Sequence, residues 1–126
     1  MVQNKMKIEK FEDLDSWKVS RELTKEIYSL TKKEKFSKDF GLRDQIQRAS
    51  VSIMANIAEG FDSRSDKAFI NFLNYAYRSA TEVQSLLYVA SDQKYISDAE
   101  FDNIYSEIKK IHGLIGGLIK YLKTSK

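Results

Sequence analysis

The residues best suited to chemistry in this chain are two glutamates and their polar neighbours. Arg48, Ser52 and Asn56 stand four apart and Glu59 follows at three, so a helix containing them carries all four on one side; Ser79 and Glu82, three apart, share a face of a later segment. Residues of this kind in facing positions build an interhelical hydrogen-bond network or, with Arg64 added to Glu59, Glu82 and Asn56, a ligand or catalytic site. Paired carboxylates in a bundle hold two metals when Glu-x-x-His pairs accompany them, and neither glutamate has a histidine three residues on. General acid and base work needs a nucleophile, a base and an orienting group, and these residues assemble no such set. The reading is therefore non-enzymatic: Arg48, Ser52, Asn56, Glu59, Ser79 and Glu82 form a polar network or an interface, with no catalytic residue, cofactor or metal.

His112, the only histidine, lies on a stripe with Tyr105 and Ile119 at steps of seven and reads as a packed, hydrogen-bonded side chain. Gly113, Gly116 and Gly117 fall inside a continuous helical pattern, where each is roughly 1 kcal/mol less favourable than alanine. Their missing side chains predict the close approach of a bulky group such as Trp17, or of another subunit. A phosphate-binding loop does not fit, because the strand-to-helix turn and lysine motif are missing.

After Glu107 the chain carries Lys109, Lys110, Lys120, Lys123 and Lys126 with no acidic residue. Lysines near a helix C-terminus complement its dipole. They become a phosphate-binding surface if they join Lys5, Lys7 and Lys10, or Arg43 and Arg48, on one face. The candidate nucleic-acid contacts are Arg43, Arg48, Lys109, Lys110, Lys120 and Lys123. A net charge of +3 and a pI near 9.0 permit such binding without demanding it.

The elements that must position these residues are helices. Proline is absent from all 126 residues, which removes the commonest helix breaker. Apolar residues recur three and four apart in four segments. The first runs over 13–33 with Leu14, Trp17, Leu23, Ile27 and Leu30, and Phe11 sits ahead of it as an anchor. Residues 32–40 are polar and irregular. The second helix, 42–61, places Leu42, Ile46, Ala49, Ile53 and Ile57 on one stripe with Gly60 as its C-cap. The third, 65–92, carries Phe69, Leu73, Ala76, Ala80, Val83, Leu87 and Ala90. The fourth, 98–123, follows a capping box of Ser97 and Glu100 and carries Phe101, Ile104, Ile108, Ile111, Ile115, Leu118 and Leu122.

Short connections make neighbouring helices antiparallel, so the predicted fold is all-α, an antiparallel up-down four-helix bundle occupying 1–126 as one domain. Further apolar positions, among them Val51, Met54, Phe72 and Leu86, widen the stripes, as a bundle helix facing two neighbours requires; a second buried face for self-association is the alternative, and the pattern leaves it open. With no cysteine, disulfides and thiolate chemistry are excluded. The chain has no apolar run of signal-peptide or membrane-span length, and a cytoplasmic protein that does not enter the membrane is expected.

Several runs also carry a resemblance. Phe11-x-x-Leu14-x-x-Trp17, FGLRDQIQRASVSIMANIAEG from Phe40 to Gly60, and FINFLNYAYRSATEVQSLLYVA from Phe69 to Ala90 are similar to the 23S rRNA intervening-sequence proteins, a family of four-helix bundles. The stretch from Ser52 to Gly60 is the most specific part. The resemblance implies a homo-oligomer, with a pentamer as the expected count, and an affinity for RNA or DNA. It also implies an alternative role as a protein-interaction scaffold or accessory subunit for a polymerase-type partner. Two departures weaken the transfer of surface function: Arg78 precedes Ser79 where the family often has glycine, and Lys35-Phe36 stands where a Phe-Pro pair is common.

Overall fold

A computed structural model describes residues 8–124, and their elements are all helical. A single 3₁₀ turn at Phe11–Asp13 leads into α1 (Asp15–Leu30), followed by α2 (Glu34–Lys38), α3 (Phe40–Phe61), α4 (Asp66–Asp92) and α5 (Asp98–Thr124). Side-chain pairings fix the direction of each neighbour. Thr24 meets the carbonyl of Ser50 while Thr31 meets Gln47, so α1 and α3 run oppositely. Ser52 meets Ser79 while Gln45 meets Glu82, and Tyr77 packs on His112 while Tyr88 packs on Phe101, so α3, α4 and α5 alternate as well. The long helices close in the order α1, α3, α4, α5 and back to α1, which puts α1 and α4 on one diagonal and α3 and α5 on the other. This is a four-helix bundle.

The inner stripes follow the helical period. Ile53, Ile57, Leu73, Val83, Ile108, Ile111 and Ile115 are wholly buried, and Ala76, Ala80 and Ala90 let α3 and α5 pack closely onto α4. On α1 the buried positions are Ser16, Ser20, Leu23 and Ile27, whereas Trp17 and Leu30, expected on the seam, are only half-buried. Ser20 Oγ donates to the Ser16 carbonyl at 2.7 Å, and Thr24 Oγ1 lies 2.9 Å from the Ser20 carbonyl and 3.2 Å from that of Ser50. Ser20 and Thr24 thus satisfy their hydroxyls on backbone carbonyls, whereas the Ser16 hydroxyl is buried with no partner among the described residues. Trp17 sits to one side of this seam, edge-on to Phe11 with ring centroids 5.2 Å apart.

The expected ends need three corrections. The first helix stops at Leu30, with Thr31 as its C-cap, and the segment read as irregular contains α2, whose Phe36 is buried. α3 begins at Phe40 because the Asp39 carboxylate accepts the Leu42 N–H at 3.2 Å. Gly60 is no C-cap: it lies within α3 at negative φ, and a Cβ there would stand 2.8 Å from Phe69 Cδ1 and 2.8 Å from Phe72 Cβ. Its role is to let α4 cross close to the end of α3. At the start of α5 the capping box is in place, with Glu100 N–H on Ser97 Oγ at 3.1 Å and Ser97 N–H on Glu100 Oε1 at 2.8 Å. Lys33 also reaches Glu100 at 2.6 Å, and these two contacts hold its carboxyl below the usual range.

Candidate functional site

Only three of the six polar residues predicted to form a network come together. Ser52 and Ser79 share a hydrogen bond of 2.9 Å between α3 and α4, and the Asn56 amide donates to the Ser52 carbonyl at 2.9 Å and to its hydroxyl at 3.0 Å. All three are half-buried. Glu82 accepts instead from Gln45 at 3.1 Å, while Arg48 and Glu59 are exposed and make no hydrogen bond or ion pair among the described residues. Glu59 lies fourteen residues beyond Gln45 on the same helix, about 21 Å along its axis at 1.5 Å per residue. That separation keeps the two glutamates from acting on one substrate. Arg64 stands in the α3–α4 turn at φ 74°, exposed and at the far end of α4 from Glu82.

The basic candidates divide in the same way. Arg43 is engaged, donating to Asp44 Oδ1 and to the Ser37 carbonyl, each at 3.0 Å, with its guanidinium 4.9 Å from the centre of the Phe40 ring. It borders an open cleft of about 410 Å³ lined by Tyr28, Thr31, Lys32, Ser37, Asp44 and Gln47. Arg43 and Arg48 lie on α3, diagonal to α5, so they do not extend the α5 lysines into one surface. Lys10 is exposed near the start of α1; Lys5, Lys7 and Lys126 lie outside the described residues.

On α5 itself, Lys109, Lys110, Lys120 and Lys123 are exposed and form no ion pair among the described residues. The three glycines between them face outward: a Cβ at Gly113, Gly116 or Gly117 meets nothing within 4 Å. Among the described residues neither Trp17 nor any other group fills that space, which corrects the expectation of an intramolecular neighbour there. Beside the glycines, His112 packs its ring on Tyr77, centroids 4.2 Å apart, with Nε2 3.1 Å from Thr81 Oγ1 and 3.3 Å from the Tyr77 carbonyl. A carbonyl only accepts, and the Thr81 hydroxyl donates to that same carbonyl at 3.2 Å, so Nε2 carries the proton. Burial lowers the histidine below its ordinary range, Lys109 adds to this and the Tyr77 carbonyl opposes it. The ring serves as a packed buttress for Tyr77.

The groove between α1 and α5 is acidic. Glu26 and Glu107 each keep one oxygen sealed from solvent with no hydrogen-bond partner, and a cleft of about 160 Å³ opens beside Glu26, Ser29, Glu100 and Asn103. Burial raises the Glu26 carboxyl, with Glu107 and Glu22 adding to it and Lys25 opposing. A carboxyl raised in the folded state contributes stability that is present below its unfolded value and lost as pH rises through the folded one. Glu26→Gln is therefore expected to raise the unfolding free energy at pH 7, by less than about 1 kcal/mol because the site is partly solvated, and to flatten the stability gain on acidification. A thermal unfolding series across pH checks both; an unchanged pH profile refutes the assignment.

No group of three metal-ligating side chains converges among the described residues, and no described helix is long and apolar enough to cross a membrane. Against this geometry, the profile of the 23S rRNA-intervening sequence protein family matches residues 12–117. The chain belongs to that family. A solved structure of a protein of unknown function from the S23 ribosomal protein family of Bacteroides thetaiotaomicron is 30% identical, with a TM-score of 0.77, over 83% of this chain and 95% of that one. Among curated proteins none matches. Neither the family's description nor the relative's names an enzymatic activity. The residues that the sequence pattern did not single out are Tyr77, Thr81 and Tyr88, each one position and so about 100° past the buried Ala76, Ala80 and Leu87, which puts them on the flank of α4 that meets α5.

Proposed function

We propose that this protein is a non-catalytic, self-associating bundle of the cytoplasm that holds RNA or DNA through the outer face of α5. The observation that carries the reading is the row Lys109, Lys110, Lys120 and Lys123, without carboxylate partners, flanking three glycines that leave the helix backbone uncovered. Phosphate oxygens gain from cations they can approach closely, and such contacts position a strand without reading its bases. Four phosphate contacts per protomer give a fall of log affinity with log salt of slope roughly −3. The test is binding of labelled RNA and duplex DNA across a salt series, with Lys120→Glu/Lys123→Glu expected to weaken all ligands and flatten the slope. Absence of binding at low salt removes the proposal.

Self-association is supported by α3 and α4. Tyr75 is 52% exposed, the Arg78 guanidinium lies 5.0 Å from its ring centre, and Arg48, Glu59 and Glu82 supply both signs of charge nearby. Exposed aromatic and arginine side chains are the residues that anchor protein interfaces. A ring of copies, with five as the count, would repeat the α5 lysines and strengthen phosphate binding. The second reading, a scaffold for a polymerase-type protein, rests on the same Tyr75 and Arg78 surface, and Arg78 is where the chain departs from the family pattern. Mass in solution for Tyr75→Ala/Arg78→Ala separates the two: a smaller assembly supports self-association, whereas an unchanged one leaves this face for another protein.

A further inference from the structure

We infer that the face shared by α4 and α5 binds unpaired nucleic-acid strands by stacking bases on Tyr77 and Tyr88, a refinement that rests on the nucleic-acid reading above. These tyrosines are 39% and 51% exposed, yet each is fixed from the α5 side. Tyr77 lies against His112 with its ring plane tilted 30°, and Tyr88 meets the Phe101 ring edge-on at 5.0 Å, with Tyr105 at 6.5 Å. Phe101 and Tyr105 stack on each other at 5.7 Å, which stiffens that support. Rings held in place and open to solvent lose little freedom when a base covers them.

The charge around the rings selects the ligand. Between residues 70 and 88 of α4 the only carboxylate is Glu82, which bonds Gln45 on the α3 side, and α5 carries none after Glu107; Asp92 and Asp102 stand at the Tyr88 end, so the positive charge gathers toward Tyr77. Lys109 lies between the levels of the two tyrosines on α5, and Lys120 and Lys123 continue the basic track beyond Tyr77. Alternation of aromatic platforms with lysines is how proteins hold single strands without sequence preference, since every base has a π-face. Tyr77 and Tyr88 are eleven residues apart, about 16 Å along α4. Two bases must therefore leave a continuous stack to reach them, which a duplex does not permit and an unpaired strand does. Stacking and phosphate contact read features common to ribose and deoxyribose strands, so both sugars bind comparably.

The experiment compares the native protein on short oligouridylate, oligothymidylate, an abasic oligonucleotide of equal charge, and a duplex of equal length at one salt concentration. The expected order is comparable binding of the two single strands, with the abasic strand and the duplex about tenfold weaker or more. Tyr77→Leu and Tyr88→Leu, both exposed positions, are each expected to lose about tenfold on single strands and to leave duplex binding unchanged. Helical circular dichroism and mass in solution are recorded on the same preparations. Equal binding of abasic and base-bearing strands by the native protein overturns the stacking inference and leaves the phosphate reading standing. Loss of all binding only with the lysine substitutions does the same, and no binding of any strand removes both. A change of assembly size in the tyrosine variants, with unaltered strand affinity, assigns the rings to subunit contact and also overturns it.

Discussion

Replacement of Phe36 by alanine is expected to remove about 3–5 kcal/mol of stability, although the residue sits in a five-residue helix between two connections. Its ring is 1% exposed and stacks on Tyr95 with centroids 5.2 Å apart. Tyr95 in turn donates its hydroxyl to Asp39 Oδ2 at 2.9 Å, and the other oxygen of Asp39 caps α3 at Leu42. One side chain thus ties α2, the turn between α4 and α5, and the start of α3 into a single corner. Lys94, at φ 61°, turns the chain after α4 so that Tyr95 and the buried Ile96 point back into this corner. Denaturant unfolding of Phe36→Ala, with Tyr95→Phe alongside, measures the coupling. The tyrosine variant keeps its ring and loses one hydrogen bond, so its deficit is about 1 kcal/mol. A deficit below about 1 kcal/mol for Phe36→Ala would show that the corner unfolds independently of the bundle, contrary to its burial.

The glycines of this chain should respond to substitution with opposite signs. At Gly60 a new Cβ would lie 2.8 Å from Phe72 Cβ, an atom that moves only if the α4 backbone moves, and 2.8 and 3.3 Å from the Phe69 ring. Gly60→Val is expected to destabilise the bundle by about 3 kcal/mol through overpacking at the α3–α4 crossing. At Gly113, Gly116 and Gly117 a Cβ meets nothing within 4 Å, and the helix gains from alanine at each position. The triple alanine variant is expected to gain about 2–3 kcal/mol in unfolding free energy. Thermal and denaturant unfolding of both variants is the check. If the outward glycines exist to let phosphates approach α5, the triple variant gains stability while losing strand affinity. A triple variant that is destabilised would mean that a second subunit packs onto this face in solution.

Much of the fold was legible in one dimension because burial in a bundle is periodic. Ile46, Ile53 and Ile57 on α3, Leu73, Val83 and Leu87 on α4, and Ile104, Ile108, Ile111 and Ile115 on α5 recur at helical spacing, and each is buried. The Ser97 and Glu100 capping box was equally readable, since both partners lie within one turn and need no tertiary context. The α1 stripe was read less well. Ser16 and Ser20 register as polar, but both are buried, the Ser20 hydroxyl bonding to a carbonyl of its own helix and that of Ser16 sealed without a partner, so polarity hides their burial.

The sequence alone determined the four long helices, their antiparallel order and the family, because helical period, short connections and the Ser52 to Gly60 run are local properties of the chain. Only the tertiary structure decided which polar residues meet. Ser52, Asn56 and Ser79 join because α3 and α4 are neighbours in the right register, whereas Glu59 and Glu82 separate along the same pair of helices. Likewise α3 and α5 occupy one diagonal, which parts Arg43 and Arg48 from the α5 lysines, and α4 lies beside α5, which brings Tyr77 and Tyr88 to them. Periodicity tells which side of a helix faces inward; it carries no information about the neighbour on each flank, and a surface is made by flanks.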